Sequence, residues 1–125
     1  MEAGERRSGE MTFYVVRHGQ TLFNVMGKVQ GWCDTPLTDE GVRAAQSLGR
    51  GLAEVDFSAA YSSDSGRAVH TLDELLRARG SKVPFGPYDD MRLREWCYGD
   101  LEGEPGELLH ATLDAGFGAP LSFEE

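Results

Sequence analysis

The chain is short of cysteine, of basic charge and of long apolar runs, and each shortage narrows what it can do. Its two cysteines among 125 residues, Cys33 and Cys97, cannot build a disulfide framework and do not stand at metal-ligand spacing. They read as free thiols of a reducing compartment. Twelve Lys and Arg against 21 Asp and Glu leave a formal net charge of -9, which argues against nucleic acid and anionic lipid as partners. No stretch approaches the ~20 apolar residues of a membrane span. Residues 1–10 are polar, contain two glycines, lack the apolar core of a signal peptide and read as a flexible leader. These features together predict a cytoplasmic protein without internal repeats or low-complexity tracts.

A hydrophobic content of 40% with 26% charged residues is the composition of a soluble globular chain. One domain over residues 11–125 is the expectation at this length. The acidic excess is uneven: residues 1–62 carry 8 acidic and 6 basic side chains, residues 63–125 carry 13 and 6. An anionic ligand would therefore need a local group of arginines inside an acidic shell.

Residues 12–16 form a nearly continuous apolar run rich in aromatic and β-branched side chains, the pattern of a strand buried on both faces of a parallel sheet. Residues 17–37 contain Gly19, Gly27, Gly31 and Pro36 without periodicity and are expected as one long loop. Long loops in compact domains are usually functional. Thr38 is a good N-cap for a helix whose inward face is Val42, Ala45, Leu48 and Leu52. A weaker strand is expected over 59–62. A second helix then runs from Ser65 or Gly66 to Arg79, with Val69, Leu72, Leu75 and Leu76 inward and Gly80 as its stop. A short strand over 83–85, an irregular stretch over 86–106 and a last helix over 107–115 complete the reading. This order predicts a three-layer α/β/α domain with a mostly parallel sheet.

Chemistry concentrates in the segments that follow the strands. Arg17-His18-Gly19 ends the first: an imidazole at a sheet edge, a guanidinium beside it, and a glycine that lets backbone approach an anion. Thr21 and Asn24 follow in the same loop. Gln30-Gly31-Trp32-Cys33-Asp34-Thr35-Pro36-Leu37-Thr38 leads into the first helix, Ser62-Ser63-Asp64-Ser65-Gly66-Arg67-Ala68 opens the second, and Leu93-Arg94-Glu95-Trp96-Cys97-Tyr98-Gly99-Asp100-Leu101-Glu102-Gly103 follows the third strand. In an open α/β sheet such loops meet at the carboxyl ends of the strands.

These four segments, in this order, resemble the histidine phosphatase superfamily, the phosphoglycerate mutase-like family, over residues 12–123. The resemblance implies that His18 is the nucleophile that becomes phosphohistidine and that Arg17 and Arg67 clamp the phosphoryl oxygens. It implies that Glu95 protonates the leaving oxygen and later activates water, and that Thr21, Asn24, Gln30 and Gly31 complete the substrate pocket. Two guanidiniums suit a transfer that depends on positioning and charge neutralisation, so neither a metal nor another cofactor is implied. Flanking arginines would also help keep His18 neutral for attack. The implied activity is that of a phosphomonoester hydrolase on a small-molecule substrate. Phosphoglycerate mutase, and a catalytically impaired phosphate-binding or interaction fragment, stand as alternatives.

Members of the family carry a second pocket histidine, followed by glycine, after a later strand, and nothing here matches it. His110 sits in a helical context and reads as a surface or helix-packing residue, and His70 on the second helix reads as structural. The chain thus resembles the N-terminal part of a longer catalytic domain, and an unpaired first strand is expected to invite homodimerisation through its edge.

Overall fold

The structure is a computed structural model that describes residues 9–116. Its elements are α1 (Leu22–Met26), α2 (Asp39–Gly51), β1 (Ala59–Ser62), α3 (Gly66–Arg79), β2 (Phe85–Asp89) and α4 (Gly106–Gly116), with single 3-10 turns at Met91–Leu93 and Gly99–Leu101. β1 and β2 pair in parallel, Tyr61 opposite Tyr88 and Ser62 opposite Asp89, with α3 as the crossover between them. The expectation of a mixed α/β chain with a parallel sheet therefore holds, and two strands of that sheet lie among the described residues. The expected leader over 1–10 lies almost wholly outside them.

The scaffold is the α2–α3 pair. Thr38 caps α2, its hydroxyl accepting the Gly41 N–H at 3.1 Å, and Asp39 and Glu40 place negative charge at the positive end of the helix dipole. The buried face of α2 is a stripe of three residues spaced by four, Gly41, Ala45 and Gly49, whereas α3 buries Arg67, Thr71, Leu75 and Arg79 at the same spacing. Two such stripes interdigitate as ridges into grooves. A methyl at Gly49 would collide with the Leu75 carbonyl, so the helices meet through backbone. This corrects the expected inward faces: Ala45 and Leu75 are buried, but Leu48 and Val69 remain 38% and 39% exposed at the flanks.

Arg79 closes the far end of the pair. It is 6% exposed and donates to the carbonyls of Leu52 at 3.3 Å and Ser81 at 2.9 Å, and to that of Val55. Its guanidinium lies 5.1 Å from the Phe57 ring centroid. A cation is thereby set on the carbonyl of Leu52, the C-cap of α2, at the end where the helix dipole favours it.

Three sequence expectations are corrected. Residues 12–16 join no ladder among the described residues, and Phe13 and Val15 are 77% and 95% exposed. Apolar composition supplies strand propensity, but a strand exists only against a neighbour, and β1 pairs with β2. What steadies the run is Tyr14, edge-on to Phe57 with ring centroids 5.2 Å apart. The strand expected over 83–85 instead occupies Phe85–Asp89. Pro84 has no N–H to give a ladder, and the first bond comes from Phe85 N–H to the Ser58 carbonyl at 3.2 Å.

The loop expected over 17–37 contains α1. Its ends are built by a capping box in which Thr21 accepts the Asn24 N–H at 3.2 Å and Asn24 accepts the Thr21 N–H at 3.0 Å. Gly27 closes it at φ +66°, a left-handed conformation suited to glycine.

Replacing Arg79 with leucine strips its hydrogen bonds from three part-buried carbonyls and is expected to destabilise the chain by roughly 1–3 kcal/mol. Urea unfolding checks this, and a change under about 0.5 kcal/mol would contradict the brace.

Candidate active site

His18 is positioned by the backbone on its C-terminal side. Gly19 N–H donates to the Thr71 hydroxyl at 3.0 Å, and that hydroxyl donates to the Arg67 carbonyl at 2.7 Å inside α3. A methyl at Gly19 would come within 2.6 Å of the Gly41 carbonyl oxygen. The residue after the histidine is thus wedged between α2 and α3, and only glycine fits there.

The same peptide sets the ring. His18 Nδ1 lies 2.7 Å from the Gly19 carbonyl oxygen. A carbonyl cannot donate, so Nδ1 carries the proton and Nε2 holds the free lone pair. Burial holds the imidazole below its ordinary value of 6.5, and the charges of Arg67 and Arg17 act in the same direction; the Gly19 bond and Asp34 oppose them. All the favourable conditions for a neutral nitrogen nucleophile are present on one side chain.

Arg17, His18, Asn24, Gln30 and Glu95 line one cavity of about 730 Å³. Its wall also includes Lys28, Phe23, Val29, Tyr98 and Leu109. Lys28 is a cation that the sequence reading did not single out; its ammonium lies 5.6 Å from the Phe23 ring centroid. The signal for it was weak, a single lysine between a glycine and an apolar residue. His110, expected as a surface or helix-packing residue, is exposed on α4 and also lines the same cavity.

Three expected pocket residues stand behind this wall. Thr21 is fully buried, and its hydroxyl accepts from the Gln30 amide at 3.0 Å as well as from Asn24 N–H. Gln30 in turn accepts the Thr35 hydroxyl at 2.6 Å. Gly31 is buried, with its N–H on Glu102 at 2.9 Å. Arg67, 3% exposed, gives its terminal N–H groups to the Cys33 carbonyl at 2.7 Å, the Gly31 carbonyl at 2.7 Å and the Asp34 carboxylate at 3.2 Å. Arg67 thus braces residues 31–34 and does not line the cavity that Arg17 shares with His18, although its charge acts on the imidazole. The Arg67 Nε is buried with no hydrogen-bond partner among the described residues.

Glu102 lies in the segment that follows the third strand, and the sequence reading gave it no role of its own; it is the organising group here. Its carboxylate accepts from Gly31 N–H at 2.9 Å, Trp32 N–H at 2.5 Å, Tyr98 N–H at 3.3 Å and the Cys33 thiol at 3.0 Å. Burial opposes its ionisation, but these four donors outweigh burial and bring it down to about 2. The 27–29 segment is tied to 103–106 by Val29 N–H to the Glu104 carbonyl and Gly106 N–H to the Gly27 carbonyl, both 2.7 Å. These bonds bring the Glu95 segment and α4 against the first loop. Among the described residues no group of three or more His, Cys, Asp or Glu could hold a metal.

The model of the histidine phosphatase superfamily (branch 1) matches residues 13–123. The chain is 37% identical over 89 residues to a 2,3-bisphosphoglycerate-dependent phosphoglycerate mutase of Cytophaga hutchinsonii, covering 71% of this chain and 41% of the relative. It is 40% identical over 103 residues to the fructose-2,6-bisphosphatase TIGAR of Mus musculus, covering 81% and 38%. Among solved structures, phosphoglycerate mutase from Bacillus anthracis superposes with a TM-score of 0.67 at 41% identity, over 78% of this chain and 41% of that one. A mycobacterial glucosyl-3-phosphoglycerate phosphatase, solved with VO3, superposes with a TM-score of 0.64 at 34% identity, over 81% and 46%. The chain spans about two fifths of the length of these curated relatives.

Two outcomes test this geometry. Gly19→Ala should cost about 2 kcal/mol or more in urea unfolding, because backbone must move to admit the methyl; an unchanged midpoint would contradict the wedge. The contribution of Glu102 is complete above the ordinary carboxylate value of 4.5 and is lost as the pH falls from there through about 2. Glu102→Gln should therefore cost about 1–2 kcal/mol at neutral pH and flatten the acid limb of the stability profile. A variant with the wild-type acid limb would remove Glu102 from this role.

Proposed function

This chain belongs to the histidine phosphatase superfamily, and from that premise we propose that it carries the nucleophilic half of a phosphomonoesterase site. In the first step His18 Nε2 attacks phosphorus, the P–O bond to the leaving group breaks, and Glu95 gives its proton to the departing oxygen. In the second, Glu95 as carboxylate takes a proton from water, whose oxygen attacks the phosphohistidine and releases inorganic phosphate. Arg17, exposed on the cavity wall, is the direct partner of the phosphoryl oxygens. Arg67 contributes its charge and holds the 31–34 loop.

Asn24 and Gln30 are assigned to the oxygens of the substrate. The Asn24 carboxamide oxygen is committed to Thr21 N–H, which leaves its NH₂ group as the available donor. Thr21 and Gly31 act as supports. The observation that carries this reading is the bond from His18 Nδ1–H to the Gly19 carbonyl, which leaves the other ring nitrogen unprotonated on a cavity that Arg17 and Glu95 share.

A mutase is the second reading, favoured by similarity to the phosphoglycerate mutases of Cytophaga hutchinsonii and Bacillus anthracis. Incubation with 3-phosphoglycerate, with and without a bisphosphoglycerate primer, separates the two: release of phosphate supports the phosphatase, isomerisation the mutase. The two free thiols, Cys33 and Cys97, agree with a reducing compartment, and we assign the protein to the cytoplasm. A homodimer is part of the same proposal, joined through the exposed 11–16 run, where Met11 is 76% and Val15 95% exposed. Val15→Lys should abolish it in sedimentation; a wild-type chain that stays monomeric at high concentration excludes it.

Acid-labile phosphate incorporation from an aryl phosphate tests the reaction. The wild type should take up label, His18→Ala none, and Arg17→Ala should slow uptake by about a hundredfold or more. Because the imidazole is held below 6.5, uptake should persist as the pH falls through that value. Label retained by His18→Ala would eliminate the nucleophile.

A further inference from the structure

Glu95 sits on a segment with little burial of its own: Leu93 and Trp96 are both 55% exposed. A general acid must nevertheless be fixed within hydrogen-bond reach of the oxygen that it protonates. Something outside the segment has to supply that order.

The available structure is a chain of three side chains. Asp64 lies just ahead of α3, at the end of the β1–α3 connection. Its carboxylate receives Arg94 as a fork, Nε at 2.6 Å and Nη2 at 2.7 Å. The pairing is strong enough to hold Asp64 below its ordinary range, with the Arg94 bond as the leading cause. The Arg94 guanidinium in turn stacks over the Trp32 ring at 4.7 Å, and the Trp32 indole N–H donates to the Glu95 backbone carbonyl at 3.0 Å. The Trp32 backbone is itself held on Glu102.

We infer that Asp64, Arg94 and Trp32 are positioning residues for the general acid. Each link has the geometry of orientation more than of burial. Trp32 is 51% exposed, and the Arg94 and Asp64 side chains are 31% and 26% exposed, so none of the three serves mainly to fill the core. A bidentate fork fixes the plane of Arg94. That plane fixes the face of the indole, and the indole edge fixes the peptide of Glu95. The Glu95 side chain is then held by one further bond, Oε1 accepting the Trp96 N–H at 2.8 Å, which leaves Oε2 as the oxygen to carry the transferable proton. The inference rests on the reading of Glu95 as the proton donor.

Hydrolysis of a series of aryl phosphates tests it. A misplaced acid slows esters of poor leaving groups, which need the proton, and spares dinitrophenyl phosphate, which does not. Trp32→Phe keeps a ring beneath Arg94 but removes the N–H, and Arg94→Lys keeps charge but removes the fork. Both should lower kcat for phenyl phosphate by about tenfold or more, with dinitrophenyl phosphate and KM within about twofold. Asp64→Asn should follow Arg94→Lys.

Loss spread equally over the series, or no loss, overturns the inference when Glu95→Gln steepens the leaving-group dependence. If Glu95→Gln leaves that dependence unchanged, the reading of Glu95 falls and the positioning role falls with it. Hydrogen exchange of the Trp32 indole proton reads the chain of contacts without turnover. It should be slowed in the wild type and return to the free-indole rate in Trp32's neighbours' variants, Arg94→Lys and Asp64→Asn. Wild-type exchange at the free rate overturns the inference by itself.

Discussion

The peptide of Gly19 is the constraint from which the rest of the site follows. Its N–H is held by Thr71 on α3, its α-carbon faces the Gly41 carbonyl of α2, and its own carbonyl takes the His18 ring proton. One residue without a side chain thereby converts the rigid α2–α3 contact into the orientation of an imidazole. The buried stripes that bring the helices together and the tautomer of the histidine belong to one mechanical unit. Preorganisation of this kind lets a nucleophile act without first reordering its surroundings.

The loops around that unit are held by buried or half-buried charge that bonds mainly to backbone. Arg67 supplies donors to the carbonyls of residues 31–34, and Glu102 accepts from the N–H groups of residues 31 and 32 and of Tyr98. The two charges grip opposite sides of the same turn. Such an arrangement fits an acidic chain that presents positive potential locally: Arg17 and Lys28 face the cavity, while most carboxylates lie outside it.

Much of this was legible in the residues. Thr38 announced α2, Gly80 closed α3, and the order of strands and helices gave the α/β class. Arg17, His18, Asn24, Gln30 and Glu95, which the resemblance groups together, line one cavity. The failures share one cause, which is dependence on distant partners. The 12–16 run has the composition of a strand, but pairing is decided by a neighbour, and β1 had β2. The resemblance, not its place at a helix start, marks Arg67 as a phosphate ligand, and its hold on the 31–34 loop was illegible because those carbonyls lie more than thirty residues away in sequence. α1 is too short for apolar periodicity, and only its Thr21–Asn24 capping pair could have revealed it. His110 and Lys28 reach the cavity because 27–29 pairs with 103–106, a contact that no local pattern encodes.

Nitrogen-15 NMR of the His18 ring tests the central claim most directly. The account predicts a neutral imidazole at pH 7, protonated on Nδ1 with Nε2 bare, and a titration midpoint below 6.5 that moves up when Arg17 is replaced by alanine. A ring found protonated on Nε2, or already cationic at pH 7, would contradict it.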